Sequence, residues 1–221
     1  MTARTYTDPA VFAAAARGES WADPQTDPTR IDWTARQAAA AIPFEVVDGR
    51  PVNPYAPTGI RYGRNQLGHW GEQPCADALV TAIDPDGRWW LVMVERADGH
   101  GWALPGGYVD PDEGPVWAAF RELREETGLR VPIGAKFRAL PARYVPDPRA
   151  SDEAWMVTVP VQISLGRCTV RPVVEGRDDA RRAAWVPAET YDQITTHLTE
   201  VYGGVLFPAH RALLTDLFTP R

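Results

Sequence analysis

Cysteine is scarce in this chain: Cys75 and Cys168 are the only two in 221 residues. Two thiols cannot build a disulfide framework, and no further pair completes a metal-ligand spacing. They read as reduced thiols in a reducing compartment. Long apolar runs are missing too. None approaches the roughly 20 residues that span a bilayer. Residues 11–16 are too short and too weakly apolar for a secretory core. A cytoplasmic location and the absence of a membrane partner are the expectations that follow. Positive charge is also in short supply. Lys and Arg number 23 against 29 Asp and Glu, the net charge is -6, and no long basic run occurs. That argues against a nucleic-acid polymer as the main partner. No internal repeat is visible, and a monomer is the expected state.

Hydrophobic residues make up 44% of the chain, enough for one large domain or a domain with an appendage. Nine tryptophans are present, to be read as core or as stacking surface for a base. The pattern changes near residue 75. Residues 1 to about 40 are alanine-rich, interrupted at Asp8-Pro9, Asp23-Pro24 and Asp27-Pro28. Short helices are expected at 10–16 and 33–41. Residues 42–75 are rich in Pro and Gly and read as irregular or short-strand. From Asp77 the apolar runs take strand form. Residues 78–83 and 89–95 flank Asp84-Pro85-Asp86-Gly87, a hairpin signal. Further strands are expected at 102–109, 136–145, 154–165, 169–174 and 183–186, and helices at 188–198 and 208–218. The order predicts an α/β fold, a mixed sheet with helices on both faces. It divides into a smaller N-terminal cap region, 1–75, and a main domain, 76–221.

Residues 107–129 carry the chemistry. Pro115 suits a first helical residue and Gly128 a helix end. Between them Val116, Ala119, Phe120, Leu123 and Thr127 form one stripe at helical spacing. Glu122, Glu125 and Glu126 project from one side of the same two turns. Like charges so placed weaken a helix, and a divalent cation turns that repulsion into coordination. Mg²⁺ prefers oxygen ligands shared with substrate phosphates; Mn²⁺ is an alternative. Arg121 lies beside this face and can hold a carboxylate by a forked pair. The other reading of the same residues is a solvated acidic face with ordinary salt bridges.

The spacing decides between them. Gly107, five residues, Glu113, seven residues, then Arg121-Glu122-Leu123, Glu125-Glu126, Gly128 and Leu129 resemble the signature of the Nudix hydrolases at every defined position. That resemblance implies a Nudix α/β/α sandwich and Mg²⁺-dependent cleavage of a nucleoside diphosphate linked to another moiety. It extends upstream and downstream. Asn53-Pro54, Thr58-Gly59, Gly63-Arg64, Leu67-Gly68, Trp70-Gly71 and Asp77 resemble the mitochondrial-type ADP-ribose pyrophosphatases. They also resemble the ADP-ribose-sensing domain of melastatin-type cation channels. So do residues 102–107, Tyr144-Val145, Asp147-Pro148-Arg149, Asp152, Ala154-Trp155-Met156, Asp178-Asp179-Ala180 and Trp185-Val186. Pro57, Pro146, Ala150 and Glu153 depart from the pattern.

The resemblance implies hydrolysis of ADP-ribose to AMP and ribose 5-phosphate. The alternatives are a pyrophosphatase for another nucleoside diphosphate-linked substrate and a non-catalytic ADP-ribose sensor; the intact stretch from Arg121 to Glu126 argues against the sensor. Catalytic residues are then Glu122, Glu125, Glu126 and Arg121. Metal ligands are the three glutamates and the Gly106 carbonyl. Glu113 braces the loop or holds a water beyond the ligands. The base is Glu125, Glu126 or an acid in residues 175–179, a segment that has to close over the substrate; the bland reading of Asp178 and Asp179 is a solvated turn. Asp77, Asp147, Arg149 and His210 are the substrate-binding candidates. Arg149 has a fork suited to phosphate or ribose. Asp147-Pro148-Arg149 otherwise reads as a loop turn, and His210 as a core or surface histidine.

Overall fold

A computed structural model describes residues 4–219. In chain order the elements are β1 (Thr5–Thr7), α1 (Pro9–Arg17), α2 (Trp33–Ala39), β2 (Glu45–Val47), β3 (Arg50–Val52), β4 (Tyr62–Asn65), β5 (Gly71–Ile83), β6 (Trp89–Arg96), β7 (Trp102–Ala103), β8 (Gly106–Tyr108), α3 (Pro115–Thr127), β9 (Lys136–Ala139), β10 (Arg143–Val145), β11 (Ala154–Arg167), β12 (Ala180–Pro187), α4 (Tyr191–Tyr202) and α5 (Arg211–Phe218). Single 3-10 turns occupy Pro28–Arg30 and Pro208–His210. The chain forms two compact units. One is Met1–Cys75 with Ala142–Thr158, the other Ala76–Pro141 with Val159–Arg221.

In the first unit the Asp-Pro pairs start helical turns. Asp8 caps α1 by accepting from the Ala10 N–H, and Pro9 needs no donor there. Asp27 does the same for the Pro28–Arg30 turn. Asp23 is used differently. It is buried and accepts from the Arg36 fork at 2.8 and 2.9 Å and from the Trp70 N–H at 2.9 Å, with His69 Nδ1 also at 2.9 Å. Arg64 is wholly buried beside it, donating to the Asp23 and Gly68 carbonyls. The departure at Glu153 has a physical account. Its carboxylate pairs with Arg50 and accepts the Gly63 N–H at 2.7 Å, so the charge is buried where a counter-charge is available. β10 pairs antiparallel with the start of β11, Tyr144 opposite Val157.

The second unit is the α/β sandwich. Its sheet runs β11–β5–β6–β12, with β9 on β11, β8 on β5 and β7 on β6. Strand alternation separates two cores. Ala78, Val80 and Val92 face α3 through Ala119 and Leu123. Leu79, Leu91 and Met93 face the other way, onto Ile194 and Leu198 of α4 and Leu213 and Leu214 of α5.

Four expectations are corrected. Residues 102–109 are not one strand: Pro105 has no N–H for a ladder, so β7 and β8 are separate. The Pro105 carbonyl still accepts from the Ala78 N–H at 2.7 Å. Residues 136–145 divide at Pro141 into β9 and β10 for the same reason. Residues 169–174 form no strand; Pro172 interrupts them, and Val170 and Val173 point to solvent. The helix expected from 188 begins at Tyr191, where the Thr190 hydroxyl accepts the Gln193 N–H.

Candidate active site

Helix α3 starts at Pro115 and stops at Gly128, which adopts a left-handed φ of 70°. Its buried face differs from the apolar stripe expected. Ala118, Ala119, Leu123, Glu126 and Thr127 are buried, while Val116 and Phe120 are half-buried at the edge. A carboxylate, Glu126, therefore sits on the buried side, only 8% exposed.

Two glycines make this possible. A Cβ on Gly107 would lie 2.4 Å from Glu122 Oε1. A Cβ on Gly106 would lie 2.5 Å from both the Ala76 carbonyl oxygen and Asp77 Oδ1. Only residues without side chains let β8 pass between these carboxylates. The Gly106 N–H then donates to Glu126 Oε2 at 2.9 Å.

The electrostatics follow from the crowding. Burial pushes the Glu126 carboxyl up to about 8, against the pull of the Gly106 hydrogen bond, and the Glu122 and Asp77 charges push the same way. Burial also raises Glu122, opposed by Arg121 and reinforced by Glu125 and Asp178. Arg121 ties the cluster together. It donates to both oxygens of Glu113, to Glu122 Oε1 at 2.8 Å, to Glu125 Oε2 at 3.1 Å and to the Tyr108 carbonyl at 2.9 Å. Glu113 in turn accepts from the Asp110 N–H, which folds the loop before α3 onto the helix.

The donor set suits a hard divalent cation. It consists of carboxylates whose mutual repulsion and burial a cation would relieve. As the side chains stand, no three acidic, histidine or cysteine groups among the described residues surround one ion. Arg121 engages one oxygen of Glu122 and one of Glu125, which leaves the second oxygen of each carboxylate for a cation.

Residues 175–179 lie at the C-terminal end of α3. The Glu175 N–H donates to the Thr127 carbonyl at 3.1 Å and the Arg177 N–H to the Glu126 carbonyl at 2.9 Å. Two of the carbonyls that a helix end leaves open are thereby met. Asp178 has a left-handed φ of 50°, and its charge acts on Glu122.

The substrate candidates fall into two groups. Asp147 and Arg149 belong to the first unit and pair with each other. Arg149 Nε and Nη2 donate to the two Asp147 oxygens at 2.9 and 2.8 Å, and the Arg149 N–H donates at 2.8 Å. Asp77 and His210 belong to the second unit, and both are buried. His210 Nε2 lies 3.4 Å from Asp77 Oδ1, and His210 Nδ1 accepts the Leu104 N–H at 3.0 Å. Trp102 is in the core, against Tyr202. Sequence reasoning missed two arginines. Arg96 acts on Glu126, and the Arg177 guanidinium lies 3.1 Å from where a Gly128 Cβ would stand. Both come from other strands or loops, and no spacing rule reaches them.

Comparison with known proteins accords with this geometry. Nudix hydrolase 6 of Caenorhabditis elegans is 31% identical over 206 residues, covering 86% of this chain and 77% of that protein. The mitochondrial ADP-ribose pyrophosphatase of Rattus norvegicus is 32% identical over 219 residues; the match covers 82% of this chain and 61% of the rat protein. Among solved structures, a bifunctional NMN adenylyltransferase/ADP ribose pyrophosphatase from Francisella tularensis, complexed with AMP and a manganese ion, shares the fold. Its TM-score is 0.50 at 22% identity, over 67% of this chain and 42% of that one. The NUDIX domain family itself matches residues 73–202, more than half of the sequence and the whole of the glutamate helix, so the chain belongs to the Nudix hydrolase family.

Proposed function

We propose that this protein hydrolyses ADP-ribose to AMP and ribose 5-phosphate with the help of Mg²⁺ or Mn²⁺. The observation that carries the reaction is the cluster of Glu122, Glu125 and Glu126 around Arg121 and Gly106. The substrate rests on the likeness to the rat ADP-ribose pyrophosphatase, which runs over 82% of this chain.

A pyrophosphate resists water because its charged oxygens repel nucleophiles. The cation supplies neutralisation of that charge and a more acidic water. Glu122, Glu125, Glu126 and the Gly106 carbonyl are the groups that would hold it. Arg121 keeps Glu122 and Glu125 from repelling each other before it arrives, and Glu113 anchors Arg121. The proton released by the attacking water passes to a carboxylate: Glu125, Glu126 or Asp178. Arg149, already steadied by Asp147, offers donors to a phosphate or ribose.

The test is to incubate the pure protein with ADP-ribose and Mg²⁺ and separate the products. AMP and ribose 5-phosphate are expected in equal amounts. Intact ADP-ribose, with saturable binding, would identify a sensor. Intact ADP-ribose alongside cleavage of another nucleoside diphosphate-linked compound in a substrate panel would reassign the substrate.

A further inference from the structure

His210 has an environment that decides which ring nitrogen carries the proton. A backbone N–H can only donate, so the Leu104 N–H at 3.0 Å requires Nδ1 to be an acceptor. In the neutral ring the proton is then on Nε2, which faces Asp77 Oδ1 at 3.4 Å. That distance is long for a hydrogen bond but close for a charge facing an N–H dipole. Both residues are buried.

The same atoms meet the reaction centre. Asp77 Oδ1 is among the atoms that leave no room for a Cβ on Gly106. Gly106 donates to Glu126. Between them, Leu104 and Pro105 are the break that Pro105 puts between β7 and β8. A broken strand has lost ladder bonds and needs other anchors. Here they are the Ala78 N–H to the Pro105 carbonyl at 2.7 Å and the Leu104 N–H to His210. The segment that brings His210 is itself fixed to β7: the Trp102 N–H donates to Val205 at 2.8 Å and the Phe207 N–H to Trp102 at 2.7 Å.

We propose that Asp77 and His210 form a tautomer-selective clamp that holds residues 104–106 against Glu126, which makes His210 a positioning residue of the centre. The clamp rests on the reading of Glu126 and Gly106 as part of that centre. A cation site whose carbonyl and carboxylate come from different elements depends on such outlying bonds for its shape.

The test uses the full chain. In the metal-free protein with ¹⁵N-labelled histidine, His210 is expected to show an unprotonated Nδ1 and a protonated Nε2; a proton on Nδ1 in the neutral ring overturns the clamp. His210→Ala removes both contacts. His210→Asn puts an acceptor back at the place of Nδ1 without reaching Asp77. The alanine variant is expected to bind Mn²⁺ about tenfold to a hundredfold more weakly by electron paramagnetic titration, with faster amide exchange at Leu104 and Gly106. With ADP-ribose its loss is expected in kcat, with KM within about twofold of wild type. His210→Asn is expected to recover part of both. If the alanine variant is unfolded, the asparagine variant and the tautomer measurement still decide. Unchanged Mn²⁺ affinity and exchange in folded His210→Ala overturns the clamp. So does a rise in KM with kcat spared, seen with ADP-ribose and not with ADP. If the wild type cleaves no ADP-ribose, the functional reading fails by itself, and the tautomer, Mn²⁺ and exchange results still decide the clamp.

Discussion

At Glu126 burial and charge conflict. The residue is 8% exposed, and its carboxyl is pushed up to about 8 from an ordinary value of 4.5. A carboxylate whose folded-state value is raised binds a proton more tightly folded than unfolded, so the metal-free protein loses stability as pH rises from about 4.5 to about 8. Glu126→Gln keeps an acceptor for the Gly106 N–H and removes the charge. Without metal, the variant is expected to melt higher than wild type at pH 8, by about 2–4 °C for each kcal/mol of relief, and the advantage is expected to vanish below pH 4.5. With Mg²⁺ and ADP-ribose the same variant is expected to lose at least about a hundredfold in turnover, comparable to losing one strong transition-state stabiliser. Wild-type turnover at saturating Mg²⁺ removes Glu126 from the reaction. The glutamates were legible in the sequence because spacing along a helix fixes its faces. Which of them is buried was not, because that depends on how α3 is rotated against the sheet.

At the scale of elements, strand β8 and helix α3 define the candidate site between them. Gly106 and Gly107 are adjacent in sequence but face different neighbours, so their alanine variants are expected to fail differently. In Gly107→Ala the new methyl meets the end of the flexible Glu122 side chain. Glu122 can swing away, so folding is expected to survive and activity to fall. In Gly106→Ala the methyl meets the Ala76 carbonyl, which is backbone of a central strand. A destabilisation of about 1–3 kcal/mol is expected, as for other overpacked sites. Denaturant titration of both variants beside their kinetics checks this; equal stability loss in the two contradicts it. The sequence showed the helix, its ends and the hairpin at residues 84–87, since proline, glycine and capping residues act locally. It did not show that the two halves of 102–109 pair with different strands, β7 with β6 and β8 with β5, because strand partners are set by the order of the sheet.

At the scale of the whole molecule, charge pairing sets two responses. The first unit depends on Asp23. Burial alone would raise its carboxyl, but hydrogen bonds from His69 and Arg36 and the Trp70 N–H outweigh that and hold it well below 3.8. A depressed carboxyl contributes stability above its unfolded value and loses it as pH falls through the folded one. Asp23→Asn is expected to be destabilised by about 1–3 kcal/mol at pH 7, the deficit shrinking as pH falls below 3.8. A deficit independent of pH rules out the ion pair as its source. The second unit is expected to gain melting temperature when Mg²⁺ is added, because an ion bound only by the folded state stabilises it by mass action. Glu126→Gln is expected to gain less; equal gains place the ion elsewhere. By itself, the sequence determined the α/β order and the placing of Glu122, Glu125 and Glu126 on one side of a helix, and its likeness to the Nudix signature pointed to the family. The first two depend on residue type, helical spacing and turn chemistry, all of which act over a few residues. Only the tertiary structure decided the rest: the return of residues 142–158 to the first unit, the pairing of Asp147 with Arg149, and the meeting of Asp77, Leu104 and His210. The last of these brings together side chains far apart in the chain, and contacts at that range are fixed by sheet order and core packing rather than by any local pattern.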